Sequence, residues 1–182
     1  MRAARHLVAA GEEPTLEAAA KEAGISRTTA YRYFPNQRAL LAAAHPETAQ
    51  TSLLPPEAPT EVGERVRVVV ESFTQLVLAT EVQQRTMLRL SLQPDQRDRG
   101  SLPLRQGRGI KWISEALEPL ANEFSAPQLQ HIAFAIRSVI GIEALVWLTD
   151  VGGLTRDEAV DLMRWAAQAI VDRALSGEPP PG

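Results

Sequence analysis

Apolar side chains recur along this chain at intervals of three and four, the spacing of one helical face, and no alternating strand pattern of useful length appears. Leu16, Ala19, Ala20 and Ala23 form one such face behind Thr15, a good N-cap. Gly24 suits the left-handed conformation that ends a helix, and Ile25 fills the corner beneath the turn. Ser26 then caps a second short helix, in which Ala30 and Phe34 are four apart and can meet the first helix. Pro35 ends that helix, Asn36 can cap the next, and Leu40 and Leu41 return to the core. Residues 2–10 read as a helix with Leu7 and Val8 inward, and Pro46 should stop the fourth helix.

The rest of the chain reads as helical too. Residues 46–59, with Pro55 and Pro56 adjacent, predict a linker, after which Thr60 can cap a long helix carrying Val62, Val66, Val69, Val70, Phe73 and Val77. A helix over 82–92 follows, then an exposed loop, PDQRDRGS. The helix over 104–123 should bend near Pro119. Ser125 with Gln128 forms a capping box for an apolar helix reaching Val151, closed by Gly152 and Gly153. Thr155 with Glu158 makes a second box for a last helix to Leu175, and the SGEPPPG tail predicts disorder. The expected fold is all-α.

A helix, a glycine-containing turn and a polar-faced helix make the helix-turn-helix arrangement, whose second helix enters the major groove. With its apolar side spent on packing, that helix presents Arg27, Thr28, Thr29, Tyr31, Arg32 and Tyr33 outward. A guanidinium can bridge guanine O6 and N7, and threonine offers a hydroxyl and a methyl. Arg27, Thr28, Thr29 and Arg32 are therefore candidates for base or groove contacts, and Ser26, Tyr31 and Tyr33 for phosphates.

The run AGISRTTAYRYFPNQRALL resembles the end of the DNA-binding domain of TetR-family transcriptional regulators. The glycine–apolar–serine turn, Tyr31 and Tyr33, Phe34-Pro35 and the double leucine occur in that order. The resemblance implies a homodimer with an N-terminal DNA-binding domain, residues 1–46, and an effector-binding and dimerisation domain, residues 47–182. It further implies a repressor that binds a palindromic operator on double-stranded DNA and is released by a small-molecule effector. Two departures stand out. Gln37 occupies a position where the family usually carries a phosphate-holding lysine, with Arg38 beside it as a possible substitute. The first helix is also short and lacks a basic lead-in, which leaves either an upstream start or a weaker grip on the DNA backbone.

Composition adds bounds. The chain has 182 residues, 45% hydrophobic and 23% charged, enough for a core in one domain or for a small module on a larger one. The net charge of −3 divides unevenly: residues 1–46 hold six basic and four acidic side chains, leaving the acidic excess to the remainder. The absence of cysteine excludes disulfides and thiolate metal sites. No run reads as long enough to cross a membrane, and Met1 to Ala10 is too short and polar for a signal peptide, so the expectation is a cytoplasmic protein without membrane contact. His6, His45 and His131 have no carboxylate or serine at a motif spacing, and no phosphate loop appears. No enzyme, metal or cofactor is expected.

The final two helices should lie antiparallel and offer more apolar surface, including Trp147 and Trp165, than a single layer needs. They could pair across a two-fold axis into a four-helix bundle or simply form a monomer's core. For an effector cavity the candidate walls are Phe73, Met87, Leu88, Trp112, Phe134 and Trp147, which could equally be plain core. Glu143 lies in an apolar run and needs a partner: an effector, a basic residue such as Arg164, or solvent. Arg105, Arg108 and Lys111 could greet an acidic ligand or form a solvated face. The rival reading is a helical small-molecule binding protein with a vestigial DNA reader.

Overall fold

The computed structural model describes residues 2–9, 15–44, 50–92 and 107–177. Every regular element among the described residues is helical, as expected of an all-α chain: α1 (Arg2–Ala9), α2 (Leu16–Glu22), α3 (Arg27–Tyr33), α4 (Gln37–Ala44), α5 (Val62–Ala79), α6 (Glu81–Leu92), α7 (Arg108–Leu117), α8 (Ala126–Ile140), α9 (Ile142–Val146) and α10 (Arg156–Leu175). Residue 10, Pro46, the PDQRDRGS loop, Arg105 and the tail beyond Gly177 lie outside the described residues.

Contacts divide the chain into two compact units, Met1–Ala49 with Thr80–Gln106, and Gln50–Ala79 with Gly107–Gly182. This differs from a single cut after residue 46, because α6 belongs with the N-terminal helices. Met87 on α6 is 2% exposed and completes a small core of Ala4, Leu16, Ala19, Ala20, Ala30, Leu40 and Ala44. Five of those residues are alanines, so the helices approach closely and the single large side chain of α6 fills the space that remains.

In the second unit α5, α7, α8 and α10 form a closed circuit: α10 packs on α8 and α5, and α7 packs on the same two helices. Val69, Phe73, Trp112, Ile113, Ile132, Ile136 and Met163 are buried inside it. Residues 50–59, expected to be linker, are fastened to α7. Leu53 is buried, Ser52 Oγ donates to Glu115 Oε1 at 2.9 Å, and Trp112 Nε1 donates to the Thr51 carbonyl at 3.1 Å. Arg65 anchors the same region, its Nε donating to Ala116 O at 3.1 Å and its Nη2 to Glu115 O at 2.8 Å. A cation is favourable there, at the negative C-terminal end of the α7 dipole, and Glu115 O accepts from it in addition to the amide of Glu118.

Several helix ends follow the expected chemistry, and others do not. Both capping boxes form, at Ser125 with Gln128 and at Thr155 with Glu158. The start of α5 is held instead by Glu61, whose carboxylate accepts from Gly63 N at 2.8 Å and Glu64 N at 2.7 Å, where Thr60 had been expected to cap. Beyond α7 the chain tightens into a 3₁₀ turn, Glu118–Asn122, which accommodates Pro119 in its first turn. The expected single helix to Val151 is interrupted at Gly141, whose extended backbone separates α8 from α9, and it ends in a π-helical turn, Trp147–Val151. A β-carbon at Gly141 would fall on Arg137 Nη1 and crowd Glu143 Oε2, so the missing side chain makes room for that pair.

By length and composition alone the stretch Ala126–Val151 reaches the size of a membrane span, with a mean hydropathy of 1.7 over its most apolar window, although Gly141 breaks it. Its buried side, including Ile132, Ala133, Ile136, Ile140 and Leu145, is that of a core helix in the second unit.

Gly141→Ala should lower stability by about 1–3 kcal/mol, the range for forcing an extra carbon into a filled space. Thermal denaturation followed by circular dichroism measures this; an unchanged melting temperature would mean that Arg137 relocates without cost.

Candidate nucleic-acid interface

The polar helix α3 is set by its two ends and by one buried residue. Thr15 Oγ1 accepts from Ala18 N at 3.0 Å and starts α2, and Gly24, at φ 65°, turns the chain through the left-handed conformation that Cβ-bearing residues avoid. Ser26 Oγ accepts from Thr29 N at 3.2 Å and shares a 2.8 Å hydrogen bond with Thr29 Oγ1. Phe34 N donates to Ala30 O at 2.9 Å, after which Pro35 prevents continuation. Asn36 Oδ1 then accepts from Ala39 N at 2.8 Å and begins α4.

Ala30 is the one fully buried residue of α3. Packing it against the alanine face of α2 leaves Arg27, Thr28, Tyr31, Arg32 and Tyr33 exposed, with Thr29 half-buried. Ser26 is exposed as well, but its hydroxyl serves the cap and Thr29. Gln37 is half-buried in the first turn of α4, and the side chain of Arg38 lies outside the described residues.

Two of the exposed groups are held from α2. Arg27 Nη2 is 2.8 Å from Glu17 Oε1, and the Tyr31 hydroxyl donates to the same oxygen at 3.2 Å. The Arg27 guanidinium also lies 5.5 Å from the centre of the Tyr31 ring, and Arg32 stands 5.4 Å from that of Tyr33. A hydrogen bond with its own backbone amide lowers the Glu17 pKa, opposed by partial desolvation and helped by Tyr31 and then Arg27. Glu17 therefore remains a carboxylate at neutral pH. Its role was not legible in the sequence: it lies fourteen residues from Tyr31, and only the packing angle of α2 on α3 joins them.

The residues proposed for an effector cavity scatter. Phe73 and Trp112 meet edge-to-face in the second unit, ring centres 5.9 Å apart. Met87 and Leu88 belong to the first unit, Met87 in its core and Leu88 half-buried on α6. Phe134 and Trp147 are exposed, at 43% and 62%. Glu143 pairs with Arg137, Oε2 to Nη1 at 3.2 Å, and not with Arg164, whose Nε donates to Thr74 Oγ1 at 3.3 Å. Arg137 was not singled out from the sequence. It crosses the Gly141 break, sits 5.3 Å from the centre of the Phe73 ring and so links Glu143 to the Phe73–Trp112 pair. Glu143 and Trp147 do share a groove of about 380 Å³ with Val139, Leu148, Leu162 and Met163. Arg108 is half-buried and Lys111 exposed on α7.

Residues 1–44 match the family model for bacterial regulatory proteins of the tetR family. The N-terminal module belongs to the TetR family. The protein is accordingly a DNA-binding transcriptional regulator of that kind, and α3 stands where a helix-turn-helix module places its reading helix. The TetR-family match ends at residue 44, before α6, although α6 supplies part of the module's core. No curated protein matches the chain.

Ser26→Ala removes the α3 cap and should destabilise the TetR-family module by about 1 kcal/mol. The measurement is a denaturant melt of the purified protein; an unchanged midpoint would mean that Thr29 or solvent replaces the cap.

Proposed function

We propose that the protein is a homodimeric repressor that binds a palindromic operator through α3 of each copy and is released by a small-molecule effector. The observation that carries the reading is the exposed polar face of α3 on a TetR-family module: Arg27, Thr28, Tyr31, Arg32 and Tyr33 face outward while Ala30 alone is buried. Arg27, Thr28, Thr29 and Arg32 read base edges or the groove; Ser26, Tyr31, Tyr33, Gln37 and Arg38 attend to phosphates.

The dimer is supported by an apolar face on the last helices. Trp147, Val151 and Trp165 are 62%, 72% and 69% exposed, and Leu162 lies between them in sequence on α10. Contiguous large apolar side chains on one surface mark a contact with another molecule. A second copy meeting it across a two-fold axis would bury both tryptophans, and the axis would match a palindromic site. Effector binding falls to the second unit, which carries the groove beside Glu143 and another of about 400 Å³ between α5 and α10; each shares a tryptophan with that face, Trp147 in the first and Trp165 in the second, so an effector there would act at the dimer contact. Both are in the size range of small-molecule sites. Release requires the effector to prefer the arrangement that does not fit DNA, since equal affinity for both would shift nothing.

A mobility-shift titration on DNA from the region upstream of the coding sequence tests the reading. Retardation that is sequence-specific and weakens with salt is expected. Arg32→Ala should weaken specific binding by about 1–3 kcal/mol and relax preference at one position. Absence of any shift at low salt, with ligand binding intact, would favour a small-molecule binding protein with a vestigial reader. Trp165→Glu should convert the dimer to monomer in sedimentation equilibrium; an unchanged mass would place the interface elsewhere.

A further inference from the structure

We propose that Glu17 is a built-in competitor of DNA phosphate: its carboxylate occupies Arg27 and Tyr31 in the free protein and lowers affinity for DNA of any sequence. The inference rests on the reading of α3 as the DNA-contacting helix. Its basis is the geometry at one oxygen. Glu17 Oε1 lies 2.8 Å from Arg27 Nη2 and accepts the Tyr31 hydroxyl at 3.2 Å. A phosphate oxygen would make the same contacts, being an anionic acceptor that favours guanidinium and hydroxyl donors.

The hydroxyl decides between competition and positioning. Tyr31 has a single O–H hydrogen, and the bond to Glu17 uses it. While that bond stands, Tyr31 can only accept, and a phosphate oxygen, which carries no proton at neutral pH, cannot donate to it. Tyr31 therefore holds either Glu17 or the DNA backbone. Arg27 has further donors, but the carboxylate beside it already offsets part of its charge and repels any approaching phosphate. Side-chain exposure of 68% for Arg27 and 44% for Glu17 leaves the contact open to displacement, so it tunes affinity without abolishing it.

Glu22 supplies the control. It lies on the same helix with similar exposure, and its neighbour is the His6 imidazole on α1, Nδ1 to Oε1 at 3.5 Å. Glu22→Gln changes the net charge as much as Glu17→Gln does without touching α3.

The experiment is a fluorescence-anisotropy titration of a labelled mixed-sequence DNA duplex at several salt concentrations. It compares wild type, Glu17→Gln and Glu22→Gln after thermal melts have matched their folding. Glu17→Gln should tighten binding about threefold to tenfold at low salt, because the neutral amide oxygen left in place of the carboxylate holds Arg27 and Tyr31 more weakly and no longer repels phosphate. It should also steepen the dependence of log K on log salt by about 1, because on mixed-sequence DNA, where no base edge claims it, the freed Arg27 neutralises one more phosphate per site. Glu22→Gln should give a smaller gain and no change of slope. Tyr31→Phe should cost more affinity in the Glu17→Gln background than in wild type. Weaker binding by Glu17→Gln, or equal effects of the two glutamine variants, would overturn the inference while wild-type binding upheld the reading of α3. If no variant binds at low salt, both fall.

Discussion

The functional surface depends on the contact between two alanine faces. α3 has seven residues, too few to hold a helix in water without packing, and Ala30 is its one fully buried side chain. With Ala19 and Ala20 of α2 beneath it, the backbones come close enough that rotation of α3 about its axis is confined. That confinement decides which side chains face outward. A larger residue at Ala30 would lift the helix and turn its polar side, so the orientation of α3 rests on one methyl group.

The same core explains why α6 belongs with the reader. A cluster made largely of alanines encloses little apolar surface, and small modules are correspondingly marginal. Met87 brings a long flexible side chain from a distant part of the sequence and adds the contact area that the N-terminal helices lack. In the second unit an analogous solution admits charge: Arg137 and Glu143 reach each other because Gly141 has no side chain, and the Phe73 ring receives the guanidinium.

Several helix starts, the end of α2 and the outward set on α3 were legible in the sequence because they are local. Thr15, Ser26, Ser125 and Thr155 cap through bonds to amides three residues on, and Gly24 ends α2 through its own backbone angle. Face assignment followed from periodicity, so Ala30 inward and Arg27 outward needed no tertiary knowledge. What lay outside local range came from packing alone. Periodicity marks Met87 as buried but not in which unit, and Glu143 as needing a partner but not that Arg137 provides it across a helix break. Nothing in the order of residues marks Glu17; the angle between α2 and α3 brings its carboxylate to Arg27 and Tyr31. Hydrogen-bond spacing along a helix is written in the order of residues, whereas a meeting between helices is set by which faces exclude water together, and only the folded chain decides that.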